Sequence, residues 1–177
     1  MRTILTLEAA LRGSPAPEEI RARQSLLSVR FLDFEAVERT GQIMVDGELA
    51  DEVRAIFEVL FAARFPLRSV IPVSEFAWSD DASMAANNCS GFNYRLAAGK
   101  AKLSEHALGR AVDINPLQNP YVRGDLVLPP GARYDEAEIG TILAIGPVVS
   151  VFESHGWTWG GRWTSLKDWH HFEKPLS

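Results

Sequence analysis

The chain has 177 residues, 46% of them hydrophobic and 23% charged, with a formal net charge of −5 and a single cysteine. That length and apolar content fit one globular domain with a sizeable core, and the acidic balance gives no general attraction to phosphate backbones, so nucleic acid is not an expected partner. A lone Cys89 excludes an internal disulfide framework and any multi-cysteine zinc site.

The start, MRTILTLEAALRGSPAPEE, has an early Arg2, but Glu8 interrupts its apolar run and makes it a poor signal peptide. No stretch is long enough to span a bilayer. Residues 1–25 read as an extension carrying a short helix, EEIRARQ, entered through Pro17. SLLSVRFLDFEAV and GQIMVD are apolar and β-branched and are separated by the polar ERTG, which signals a hairpin. GELADEVRAIFEVLFAARF sets Leu49, Val53, Ile56, Phe57, Leu60 and Phe61 at helical spacing and ends before Pro66. SVIPVSEF reads as a strand. WSDDASMAANNCSGFNYR reads as a polar, turn-rich loop of the kind that carries function; in it Asp80, Asp81 and Ser83 could hold a substrate amine or simply form a solvated turn.

Residues 104–116, SEHALGRAVDINP, place Gly109, Ala111 and Asp113 on one face of an extended segment. That face is nearly bare except for a carboxylate, which suggests clearance for something set against Asp113, with His106 able to reach the same space. A proline-rich loop follows (119–136). EAEIGTILAIGPVVSVFESHG is mostly helical in pattern, with Gly156 as its stop and His155 as a favourable charge at the helix C-terminus. The tail, WTWGGRWTSLKDWHHFEKP, concentrates aromatics, glycines and two histidines. If HHFE is a strand, His170 and His171 point to opposite faces, so only one should enter a given site.

His106, Asp113 and one tail histidine make two imidazoles and a carboxylate, the ligand count of a catalytic zinc that keeps a fourth position for water. Zinc lowers the pKa of that water and polarises a carbonyl. Asp168 could take the water proton and deliver it to a leaving amine. Against this stand a buried ion pair closing a turn, and a nonmetal hydrolase using Cys89 or Ser104. A Ser104/His106/Asp113 triad is disfavoured, because a nucleophile and base two residues apart rarely align.

The order S-x-H-x-x-G-x-A-x-D (Ser104, His106, Gly109, Ala111, Asp113), then W-G-G-x-W (Trp159 to Trp163) and D-x-x-H-F (Asp168 to Phe172), resembles the D-alanyl-D-alanine carboxypeptidase-like core domain of M15-type zinc peptidases. N-x-x-S-G-F-N-x-R (Asn87 to Arg95) and N-P-x-x-N-P (Asn115 to Pro120) are similar to a subgroup close to the L-alanyl-D-glutamate endopeptidases. The resemblance implies a zinc peptidase domain over 26–177 with one Zn2+ per chain, bound by His106, Asp113 and His171. Asp168 is then the catalytic acid/base, where many relatives have glutamate, and Arg95 binds the substrate carbonyl or developing oxyanion. Ser104 and Trp159 are candidate substrate contacts, Trp159 beside Gly160 and Gly161 as a cleft wall. His170 falls outside the ligand set.

Together these readings give a single α+β domain, an antiparallel sheet with flanking helices and a zinc cleft, hedgehog/DD-peptidase-like in the resemblance. The expected function is hydrolysis of peptidoglycan stem peptides; the competing class is a zinc-containing wall-peptide-binding module without turnover. Net charge does not draw the protein to an anionic wall, so binding rests on local contacts or on soluble muropeptides. The site of action is then cell wall or periplasm, or the cytoplasm for a lysin-like protein.

Overall fold

The computed structural model describes residues 4–97 and 101–176. After two short helices, α1 (Leu7–Leu11) and α2 (Glu18–Arg21), strands β1 (Gln24–Leu32) and β2 (Glu38–Asp46) pair antiparallel along their whole length. The hairpin falls where its composition points, but its turn lies at residues 33–37 and ERTG belongs to β2. The reason is Asp33, whose carboxylate accepts from the backbone N–H of Glu35 (3.0 Å) and Val37 (2.8 Å) and so turns the chain early.

Helix α3 (Ala50–Ala62) follows a 3-10 turn and lays Val53, Ile56, Phe57 and Leu60 on the hairpin. Asp46 caps that turn by accepting from the Glu48 N–H at 3.0 Å. SVIPVSEF is not one strand. Pro72, which supplies no N–H, ends β3 (Ser69–Val70), and Val73–Phe76 coil into a 3-10 turn. The polar loop contains α4 (Asp80–Ala85), begun by the Ser79 side chain accepting from the Ala82 N–H, and then β4 (Asn88–Cys89), which pairs parallel with β3.

Strands β5 (Ala111–Asp113), β6 (Tyr121–Arg123) and β7 (Leu126–Leu128) precede α5 (Pro147–Ser154); β8 (Thr158–Trp159), β9 (Lys167–Asp168) and β10 (His171–Glu173) complete the chain. The expected single sheet is instead four small ones among the described residues: β1-β2, β5-β10-β8, β3-β4 and β7-β6-β9. No described helix is long and apolar enough to cross a membrane.

The helical pattern over 136–156 is realised only from Pro147 onward. Two buried asparagines hold the part before it as loop: Asn119 Oδ1 accepts from Ile142 N–H (2.7 Å), and the side-chain amides of Asn115 and Asn119 both donate to the Gly140 carbonyl. The buried backbone groups of the loop are thereby satisfied without a helix.

One core joins the inner face of the hairpin, α3, α5 and β10, with Phe172 stacked on Phe152 at 4.0 Å between ring centres. The N-terminal residues Ala10 and Ala16 close a smaller cluster with Met44 and Phe92. Phe172 is fully buried, so its strand neighbours His171 and Glu173 share the opposite face of β10.

Candidate metal centre

His106 lies in a 3-10 turn (Glu105–Leu108) opened by Ser104, whose hydroxyl accepts from the His106 N–H, and closed by Gly109 at φ +73°. Gly109 is thus a turn terminator and not part of strand β5. A side chain there would run into Gln24 and the backbone of Asp46, so its smallness serves the hairpin contact and not a space before Asp113. β5 then presents Asp113 directly opposite His171 on β10.

This register brings three donors together. His106 Nε2 lies 3.1 Å from Asp113 Oδ2, His171 Nδ1 lies 3.1 Å from Asp113 Oδ1, and the two ring nitrogens are 3.2 Å apart. All three side chains are buried. The outward ring nitrogens are engaged: His106 Nδ1 donates to the Gly91 carbonyl at 2.6 Å, and His171 Nε2 donates to Glu173 Oε2 at 3.0 Å. With those protons outside, both inner nitrogens turn lone pairs toward a carboxylate and toward each other, an arrangement that is repulsive unless positive charge lies among them. A tetrahedral ion with bonds of about 2.0–2.1 Å sets its ligands about 3.3 Å apart, close to the observed spacing. The residues fit one divalent metal ion.

In the metal-free protein a proton takes that part. Burial works to raise the Asp113 pKa, but His106 and His170 and the hydrogen bonds from His106 and His171 outweigh it and hold the carboxyl well below its ordinary value. Burial works to lower the His171 pKa, yet the hydrogen bonds to Asp113 and Glu173 lift it to about 10. The Glu173 carboxyl is lowered, first by that same hydrogen bond.

The triad opens on a cleft of about 460 Å³. Asp168 and Arg95 line it, as do Asp81 and Ser104. Arg95 Nε sits 2.9 Å from Asp80 Oδ1. Gly160 brings Asp168 into place: a Cβ there would lie 2.5 Å from the Asp168 carbonyl oxygen and 2.8 Å from its Cβ, so the W-G-G segment can only pass β9 as glycine.

Two of the sequence candidates lie elsewhere. Ser83 is buried, its hydroxyl accepting from the Asn88 side chain, and Trp159 is 3% exposed, its indole N–H donating to the Trp169 carbonyl within the core. Trp159 faces inward because it pairs with Phe172 across β8 and β10; the aromatic wall of the cleft is Trp163. Strand alternation does not separate the two tail histidines, since β10 begins only at His171. His170 is also buried and reaches to 4.0 Å from Asp113 Oδ2. Cys89 is fully buried beside Asn115, and burial pushes its thiol up to about 12.

Glu173 was visible in principle, two residues after His171 on the same strand face. The Gly91 carbonyl was not, because a backbone oxygen leaves no mark on the sequence.

Residues 98–174 match the family model described as D-alanyl-D-alanine carboxypeptidase. No curated protein matches the chain. No solved structure matches it either.

Proposed function

We propose, from the match of residues 98–174 to the D-alanyl-D-alanine carboxypeptidase family model, that this chain is an M15-type zinc metallopeptidase cleaving peptidoglycan stem peptides, as a D-Ala-D-Ala carboxypeptidase or an L-Ala-D-Glu type endopeptidase. The observation that carries this reading is the buried convergence of His106, Asp113 and His171 on one point beside Asp168. His106, Asp113 and His171 would hold the ion. A divalent metal so bound supplies a Lewis acid for the scissile carbonyl and lowers the pKa of the attacking water.

The chain's own groups do the rest. Asp168 accepts a proton from the water and returns it to the leaving amine. Arg95, its guanidinium held at Asp80, steadies negative charge developing on the carbonyl oxygen. Asp81 at the cleft wall takes a substrate amine, Ser104 stands where the substrate passes His106, and Trp163 supplies an apolar wall. Ser83 and Trp159, lying outside the cleft, act on the fold and not on substrate.

Incubating the zinc-loaded protein with defined muropeptides and reading products by mass spectrometry tests the proposal. Wild type should release D-alanine or cut a stem-peptide bond, and Asp168→Ala should retain metal while losing turnover by about 10²–10⁴-fold. A metal-holding binder without turnover gives no product from either protein and contradicts the enzyme reading.

A further inference from the structure

His170 has a role that ligand geometry does not supply. Its side chain is buried and tethered at one end, where Nδ1 lies 2.7 Å from the Asn119 carbonyl oxygen. A carbonyl only accepts, so Nδ1 carries a hydrogen; Nε2, the nitrogen that faces inward, meets a carboxylate favourably only when it carries one too, as an imidazolium donating at both ends. Nε2 lies 3.0 Å from Asp168 Oδ1, nearer than to Asp113 Oδ2 at 4.0 Å. It is therefore turned to Asp168 and not to the point where His106, Asp113 and His171 converge.

The tether is rigid at both ends. The Asn119 side chain is bonded to the carbonyls of Ile114, Asn115 and Gly140 and to the N–H of Ile142, and the His170 carbonyl accepts from the Ile114 N–H at 3.0 Å. Among the described residues Asp168 is held through its backbone, by pairing with Tyr121 across β9 and β6 and by the close approach of Gly160. Among the described residues its buried Oδ1 has no well-aligned hydrogen-bond donor, and His170 Nε2 approaches it at 3.0 Å as an ion-pair partner. Asp168 lines the cleft with its side chain 14% exposed, and because Oδ1 is buried that exposure falls to the rest of the side chain.

We propose that His170 is a positioning residue for Asp168: anchored on the Asn119 carbonyl, its imidazole pins the inward carboxylate oxygen and so presents the outward one to the cleft. The catalytic consequence rests on the peptidase reading above; the positional claim does not.

Two nonionisable amides separate the contacts. His170→Gln places an amide group near Nε2 and keeps the approach to Asp168, whereas His170→Asn places one near Nδ1 and keeps only the bond to Asn119. Crystal structures of the zinc-loaded wild type and both variants read the Asp168 conformer directly. Muropeptide kinetics and metal content are measured alongside. The expected result is a single Asp168 conformer in wild type and His170→Gln, and a turned or divided one in His170→Asn. Its kcat falls about 10²-fold with KM and metal content unchanged, a misplacement effect. Should His170→Asn not fold, His170→Met fills the ring's volume without a donor and takes its place. One Asp168 conformer in all three proteins overturns the proposal, as does an equal loss of kcat in both amide variants. If wild type cleaves nothing while the conformers differ as expected, the peptidase reading falls and the positioning of Asp168 stands.

Discussion

Replacing Glu173 probes the metal centre without removing a ligand. Glu173 Oε2 accepts the Nε2 hydrogen of His171 at 3.0 Å, which leaves Nδ1, the nitrogen that faces Asp113, as the one that gives up its proton to a metal. The side chain is 24% exposed, so a substitution does not leave a sealed cavity. Outer partners of this kind are worth about 10–100-fold in metal affinity, or about 1.4–2.7 kcal/mol. Glu173→Gln retains an accepting oxygen and loses only the charge, which halves such a bond, so zinc should bind about tenfold more weakly. Glu173→Leu removes the acceptor and lets the hydrogen move to Nδ1; the loss should approach about 100-fold. Competition against a zinc chelator at fixed pH measures both. Wild-type affinity in Glu173→Leu would refute the reasoning, because His171 would then not bind through an Nδ1 whose lone pair depends on Glu173.

Further outcomes follow from the same geometry. His171 is raised from 6.5 to about 10 in the metal-free protein, so the stability it contributes there is complete below pH 6.5 and is lost as pH rises through about 10. Zinc must displace that proton, so apparent affinity should rise about tenfold per pH unit between pH 6.5 and 9; calorimetry in buffers of different ionisation enthalpy should record proton release, and a pH-independent affinity contradicts it. Gly160→Ala drives a Cβ into the backbone of Asp168; denaturant titration should show a loss of about 1–3 kcal/mol, with turnover falling at temperatures where the protein stays folded, and wild-type turnover would count against the close approach. Cys89, with its thiol pushed up to about 12, should resist thiol reagents in the native protein and react only after denaturation. Cys89→Ala should leave turnover intact, and its loss would revive a cysteine hydrolase.

What the sequence made legible follows periodicity and motif order. Val53, Ile56, Phe57 and Leu60 repeat at helical spacing and do form the buried face of α3. His171 lies far along the chain from His106 and Asp113, yet the antiparallel register of β5 and β10 brings the three together. Several misses come from side chains that satisfy backbone groups. Asn115 and Asn119 hold residues 140–142 as loop against a helical pattern, and Asp33 moves the hairpin turn by its own carboxylate. Trp159 beside two glycines suggested an open wall, but the glycines are small because Asp168 and the Trp159 ring itself press on them. Cross-strand pairing with Phe172 then carries Trp159 inward.

The metal content of the purified protein tests the central claim most directly. After dialysis against zinc and then metal-free buffer, elemental analysis should find one ion per wild-type chain and none in Asp113→Ala, which loses the carboxylate that both imidazoles meet. Wild type without stoichiometric metal, or Asp113→Ala with as much as wild type, would contradict the account.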